Sequence, residues 1–262
     1  MEKQGFIVDL DGTLYRGNER LPYAVEFVQS VRRSGSPLLF MTNNSTRTPE
    51  EVAEHLRELD IQAHHNEVFT SSQAAVRYLE EDGRGRKVFC IGEEGLVAAL
   101  INAGYELADH EADYVLQGLD RKFHYDKLHT ALRLISNGAA FIQTNPDVRL
   151  PVDGGFLPGA GSIGAAIATA TDAAPVIIGK PSRIMMGFAL ERLGLPASSV
   201  WMVGDNMRTD MAAGYSAGCK TALLLTGVTN RENLKELEAE VGFRCDFVGG
   251  DLSELTSFLQ MF

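Results

Sequence analysis

Asp9 and Asp11 close a short apolar run, Phe6-Ile7-Val8, and are followed by Gly12, Thr13 and Leu14. In an extended segment residues two apart share a side, so the two carboxylates face one way. Gly12 allows a sharp turn and close approach of the backbone to a ligand. Paired carboxylates repel unless a cation or a shared proton relieves them. Three further sets of chemically useful residues lie downstream: Thr42-Asn43-Asn44, Gly179-Lys180-Pro181, and Gly204-Asp205-Asn206 with Asp210. Asp9, Asp205 and a backbone carbonyl near Asp11 are hard oxygen donors suited to Mg²⁺, completed by water and a substrate phosphate oxygen. Lys180 brings a second positive charge to a transferring phosphoryl group, and Thr42 with neighbouring N–H groups brings neutral donors. A carboxylate can attack phosphorus to give an aspartyl-phosphate. A second carboxyl can hand a proton to the leaving alkoxide and then take one from water. Asp9, on the strand, suits the nucleophile; Asp11, in the turn, suits the acid/base.

These groups must be held by strand ends, and the chain has the pattern for it. Val8 and its neighbours form a buried strand, and Leu38-Leu39-Phe40-Met41 forms a second that runs into Thr42. Between them Ala24, Phe27, Val28 and Val31 have the spacing of an amphipathic helix. Thr48-Pro49-Glu50-Glu51 is a helix start, with a Thr cap and Pro in the first turn. The charged, glycine-bearing stretch Glu80–Lys87 reads as a linker. A second α/β set follows, with strands near 88–92, 114–116 and 140–143 and an Ala-rich helix over 162–171. Val200–Val203 is a buried strand ending at Asp205, and a helix is expected over 211–217. Strands alternating with helices imply parallel βαβ units, which gather functional groups outside the carboxyl ends of their strands. Three segments follow: 1–82 and 178–262 as two parts of one core, and 83–177 as an inserted domain.

Composition narrows the class. The 262 residues carry a formal charge of −11 and are 45% hydrophobic, which suits a globular chain and argues against a nucleic-acid surface. Cys90, Cys219 and Cys245 are far apart and in no metal-ligand spacing; Cys90 and Cys245, in or beside apolar runs, read as reduced packing residues. There is neither a leader-like N-terminus nor an apolar run long enough for a membrane span, and a cytoplasmic location without membrane partners is expected. No Gly-x-Gly-x-x-Gly follows the first strand, which argues against a nucleotide-dependent oxidoreductase.

In this order the four sets resemble the motifs of the haloacid dehalogenase (HAD) superfamily, and most nearly its NagD-like phosphatases, which include p-nitrophenyl phosphatases. The resemblance implies a three-layered, Rossmann-like α/β core with a parallel sheet and an inserted α/β cap of the C2 type. It implies Asp9 as nucleophile and Asp11 as general acid/base. Thr42, Asn43, Asn44 and Lys180 would hold the phosphoryl group. Mg²⁺ would be held by Asp9, Asp11 and Asp205, with Gly12, Thr13, Asn206 and Asp210 supporting the site. The ion-pumping relatives carry Thr in place of Asp11, so Asp here favours turnover. Mutase-like relatives insert their cap between the first two motifs; here Asp11 and Thr42 are only 31 positions apart, and the long insert lies between Thr42 and Lys180.

A Mg²⁺-dependent hydrolase of a small phosphorylated metabolite is therefore expected. A phosphotransferase or mutase with the same intermediate, and an idle phosphometabolite-binding protein, are the alternatives; the natural substrate and any homo-oligomer are left open. In the insert, Asn145, Asp147, Arg149 and Leu150 are candidates for choosing the leaving group, with Arg149 available for a carboxylate or second phosphate. Pyridoxal phosphatases carry histidine where this chain has Leu150, which disfavours that substrate.

Overall fold

The computed structural model describes residues 4–152 and 154–260. By contacts the chain divides into two compact units: Met1–Thr42 with Glu50–Phe69 and Lys180–Phe262, and Asn43–Pro49 with Thr70–Gly179. The helix Ser71–Asp82 thus groups with the second unit.

A six-stranded sheet underlies the first unit, in the order Phe247–Gly249, Lys220–Leu224, Val200–Gly204, Gly5–Val8, Leu38–Thr42, Val68–Thr70. The pairings among the first five strands are parallel. Gly5–Val8 lies centrally, in register from Gly5 opposite Val200 to Val8 opposite Val203, and with Val8 opposite Phe40. The period-two rule is visible in its packing. Phe6, Val8, Leu38, Phe40, Trp201, Val203, Ala222 and Leu224 join one core with the helices Ala24–Arg33 and Leu252–Leu259. The alternate residues Ile7, Leu39, Met41 and Met202 are buried outside that cluster. Gly214, on the helix Ala212–Ala217, comes so close to Met202 that a Cβ there would be 2.7 Å from the methionine's Cβ. Apolar contact on both faces makes the sheet the middle of three layers. The helix face predicted from Ala24, Phe27, Val28 and Val31 is the buried face. Phe27 meets Phe6 edge-on at 6.1 Å between ring centroids. Burial of such a side chain is worth about 1.5–3 kcal/mol.

The second unit has its own five-stranded parallel sheet, ordered Val176–Ile177, Ala140–Gln143, Tyr114–Gln117, Lys87–Ile91, Glu106–Leu107. Its core joins Ile91, Val115 and Phe141 to Ala131, Leu134, Ile163 and Ile167 of two helices. An antiparallel hairpin, Arg149–Val152 with Gly155–Pro158, precedes the helix Ala160–Thr171. The Glu80–Lys87 stretch is firmly tied. Arg84 N–H donates to Tyr114 Oη at 2.9 Å and Lys87 N–H to Asp113 Oδ2 at 2.8 Å. Cys90, Cys219 and Cys245 are free thiols. Among the described residues, no helix is long and apolar enough to cross a membrane.

Candidate active site

Asp9 follows the central strand directly, and its N–H continues the ladder to Val203 O at 2.9 Å. The carboxyl ends of Gly5–Val8 and Val200–Gly204 therefore lie side by side, and Asp9 meets Asp205 because both strands stop there. Asp210 returns to the same place by a less obvious route. After Asn206, which caps Arg208 N–H through Oδ1 at 3.0 Å, residues Met207–Met211 form a π-helical turn. Asp210 Oδ2 then accepts from Asn206 N–H at 3.1 Å. One carboxylate oxygen each from Asp9, Asp205 and Asp210 lies within 4.8 Å of the others, and all three residues are buried.

Lys180 lies in this group with 2% of its side chain exposed. Its ammonium pairs with Asp9 Oδ1 and, at 2.7 Å, with Asp210 Oδ1. Burial alone would lower its pKa, but the charges of Asp210 and Asp9 outweigh that and raise it. Burial pushes the Asp9 carboxyl well above its ordinary value, reinforced by Asp210 and opposed by Lys180. Asp205 is pushed up to about 7, mainly by burial and the charge of Asp210. Its Oδ2 accepts from Val228 N–H at 2.6 Å. Three buried carboxylates against one ammonium form a group short of positive charge, and its donors are all hard oxygens. That is the chemistry of a divalent-cation site.

Glycine provides the clearance. A Cβ at Gly12, whose φ is +83°, would stand 2.6 Å from Asp205 Oδ2. At Gly204 it would meet Asp210 Cβ at 2.5 Å. Thr13 is fully buried and donates to Asp9 Oδ2 at 3.4 Å. Asp11 is exposed, and Tyr15 Oη donates to its Oδ2 at 3.5 Å. The carboxylate of Asp11 stays outside the buried acidic group, where Asp210 lies instead. Thr42, 4% exposed, ends the neighbouring strand, and Lys180 Nζ also reaches Met41 O at 3.4 Å. The first unit thus brings together Asp9, Lys180, Asp205 and Asp210.

Asn43 and Asn44 fall in the second unit. Asn43 Nδ2 donates to Asp147 Oδ2 at 3.0 Å, while its carbonyl accepts from Ser71 Oγ at 2.7 Å and Asn145 Nδ2 at 2.9 Å. Asn44 Oδ1 accepts from Thr46 N–H at 2.8 Å, a local turn. Arg149 lies over the Phe156 ring, 5.8 Å from its centroid, and Leu150 packs against the second unit's core. Asn145 and Asp147 are therefore joined to Asn43, whereas Arg149 and Leu150 contact other residues. Sequence reasoning passed over the Gly227-Val228 turn. Its only signal was a glycine soon after an apolar strand, a mark of close approach.

Known proteins similar to this chain identify its family. Residues 6–106 match the family model of haloacid dehalogenase-like hydrolases, and residues 177–255 match a HAD-hydrolase-like model. The chain is 42% identical over 233 residues to the 5'-nucleotidase YutF of Bacillus subtilis, covering 89% of this chain and 91% of that protein. It is 43% identical over 236 residues to an acid sugar phosphatase of Staphylococcus epidermidis, covering 90% and 91%. The solved p-nitrophenyl phosphatase from Archaeoglobus fulgidus superposes with a TM-score of 0.92 at 36% identity, covering 98% of this chain and all of that one. With relatives this similar along nearly its whole length, and Asp9, Lys180, Asp205 and Asp210 in one buried group, the chain belongs to the haloacid dehalogenase-like hydrolases.

Proposed function

We propose that the protein is a phosphatase that hydrolyses small phosphomonoesters through an aspartyl-phosphate on Asp9. The observation that carries this reading is the buried group in which Lys180 is shared between Asp9 and Asp210 beside Asp205. A pure structural core gains nothing from three buried carboxylates, since each ion is costly to desolvate.

In the first step a carboxylate oxygen of Asp9 forms a bond to phosphorus while the bond to the ester oxygen breaks. Asp11 gives its proton to the departing alkoxide, a role its exposed position beside the buried group favours. In the second step water attacks the same phosphorus, Asp11 takes up its proton, and the bond to Asp9 breaks to release phosphate. Lys180 balances charge on the phosphoryl oxygens and holds the Asp9 carboxylate in place. Thr42 supplies a neutral donor to the phosphoryl group, and Thr13 helps to orient Asp9. Asp9, Asp205 and Asp210 have the donors to hold Mg²⁺, joined by a backbone carbonyl near Asp11. When bound, Mg²⁺ supplies screening that lets an anionic phosphate approach the carboxylates.

The substrate class is a small phosphorylated metabolite. A 5'-nucleotidase and an acid sugar phosphatase stand at almost equal identity, which supports nucleoside monophosphates and sugar phosphates as the first compounds to try. Residues 83–177 act as the C2-type cap that selects among leaving groups.

The test is phosphate release from p-nitrophenyl phosphate and a metabolite panel, with Mg²⁺ and with chelator, beside Asp9→Asn. Turnover that needs Mg²⁺ and disappears in Asp9→Asn is expected. A folded, Mg²⁺-loaded protein inert on the whole panel, or an Asp9→Asn variant as active as wild type, would overturn it.

A further inference from the structure

The loop that follows the strand Lys220–Leu224 lies outside the four motifs, yet it touches two of them. Thr226 Oγ1 donates to Gly12 O at 2.6 Å, and Thr226 O accepts from Arg16 Nη2 at 2.8 Å. Thr226 thus meets the acidic loop on both sides of Leu14, as donor to one residue and acceptor from another. Two residues later Val228 N–H holds Asp205 Oδ2 at 2.6 Å, and Thr229 N–H donates to Asp205 O at 3.0 Å. Thr229, fully buried, also accepts from Met207 N–H through Oγ1 at 3.0 Å and so anchors the turn that presents Asp210. Between them, a Cβ on Gly227 would lie only 1.9 Å from Asp205 Oδ2. Gly12 and Gly227 leave the space that the Asp205 carboxylate occupies. Four consecutive residues therefore fix the spacing between the acidic loop and Asp205.

We propose that Thr226 is a positioning residue for the metal-dependent reaction. It ties the Asp9–Gly12 loop to the turn bearing Asp205, so that the two carboxylates keep the separation a divalent cation needs. This rests on the phosphatase reading above and adds to it a residue that acts through others. Partners that orient metal-binding groups are worth roughly 10–100-fold in metal affinity. The two glycines leave Asp205 no Cβ-lined wall on this side, so the hydrogen bonds must do the holding.

The experiment compares Thr226→Val, which keeps the side chain's shape and removes the hydroxyl, with Thr226→Ser, which keeps the hydroxyl. Mg²⁺ affinity is measured by titration calorimetry without substrate, and kcat and KM with p-nitrophenyl phosphate. Thr226→Val is expected to bind Mg²⁺ roughly tenfold more weakly and to lose kcat with KM at saturating Mg²⁺ little changed. Thr226→Ser is expected to stay within about twofold of wild type, a rescue that a role in packing alone would not give. Wild-type Mg²⁺ affinity in Thr226→Val, or an equal loss in Thr226→Ser, overturns the proposal. Should Thr226→Val fail to fold, Arg16→Met decides, because it removes only the exposed donor to Thr226 O. Unchanged Mg²⁺ affinity there also overturns it. The calorimetry reads out even if no substrate turns over, so failure of the phosphatase reading and failure of Thr226's role give different results.

Discussion

Replacing Lys180 by methionine keeps most of the side chain's bulk and removes the ammonium that Asp9 and Asp210 share. Three carboxylates against one ammonium leave a formal charge of −2 in the buried group; without the ammonium it is −3. Removing one partner of a buried ion pair costs about 3–5 kcal/mol, because the charge left behind has neither water nor a counterion. For a chain of this size each kcal/mol moves the melting temperature by about 2–4 °C. In chelator, Lys180→Met should therefore melt roughly 6–20 °C below wild type. Asp210→Asn, added to it, removes one of the stranded carboxylates. The double variant should recover part of the loss, with a coupling of about 1–3 kcal/mol. Phosphate release should fall at least about 100-fold in Lys180→Met, the scale of removing a charge-stabilising donor. The assay is a thermal melt of the four proteins in chelator and in Mg²⁺, with activity measured alongside. A single variant that melts within 2 °C (about 1 kcal/mol) of wild type in chelator would refute the electrostatic argument, since the ammonium would then be stabilising nothing. Strict additivity in the double variant would refute the pairing with Asp210.

Three further outcomes are expected. Gly12→Ala places a Cβ 2.6 Å from Asp205 Oδ2 at a φ of +83°; displacement of that carboxylate should lower kcat by about 100-fold, and unchanged kinetics would show that the loop yields freely. Arg32 and Glu67 pair through two bonds of 2.7 Å. Burial works against the Glu67 carboxylate, but the bonds from Arg32 and His64 N–H outweigh it and lower the pKa below 4.5. The folded pKa is depressed, so the pair's stability is complete above the unfolded value and lost as pH falls through the folded one. Wild type should exceed Arg32→Met by about 1 kcal/mol at pH 7, and melts repeated below about pH 4 should show the gap closing; a gap that widens in acid contradicts the assignment. Arg149→Gln should raise KM roughly tenfold for substrates with a second anionic group and leave p-nitrophenyl phosphate unaffected, whereas an equal rise for both removes Arg149 from substrate recognition.

The acidic loop was legible because its neighbours constrain it: an apolar strand, two carboxylates two apart, then glycine. The same holds for Val200–Gly204 and Asp205. The helix Ala24–Arg33 was equally plain, since its apolar spacing admits one buried face. What could not be read was geometry produced by local irregularity. The sequence predicts a helix only from residue 211, but a π-helical turn already begins at Met207 and carries Asp210 into the acidic group. The hairpin of Arg149–Val152 and Gly155–Pro158 was hidden because Pro and Gly interrupt its alternation. The helix Leu234–Val241 leaves little pattern in the sequence, because Leu237 is the residue it buries. Asn43 gave no sign of its bond to Asp147, 104 residues away; pairings at that range follow from packing, which the local pattern does not encode. The clearances at Gly12 and Gly227 are likewise properties of two segments meeting, visible in sequence only as glycines near strand ends.

The central place of Gly5–Val8 has a consequence for biogenesis. This strand leaves the ribosome before both of its neighbours, and Leu38–Thr42 soon covers one of its edges. Its other edge waits for Val200–Gly204, almost two hundred residues later. At about 5–20 residues per second, that interval is on the order of ten seconds or more. Throughout it the nascent chain carries an apolar strand with an unsatisfied edge, the kind of surface that invites wrong pairing. The second unit, by contrast, has all its sheet strands within residues 87–177 and can close before synthesis reaches the partner strand. The group of Asp9, Lys180, Asp205 and Asp210 thus assembles only after the strands of the second unit have been made, and chaperone dependence during synthesis should centre on the edge of Gly5–Val8 that faces the late strand.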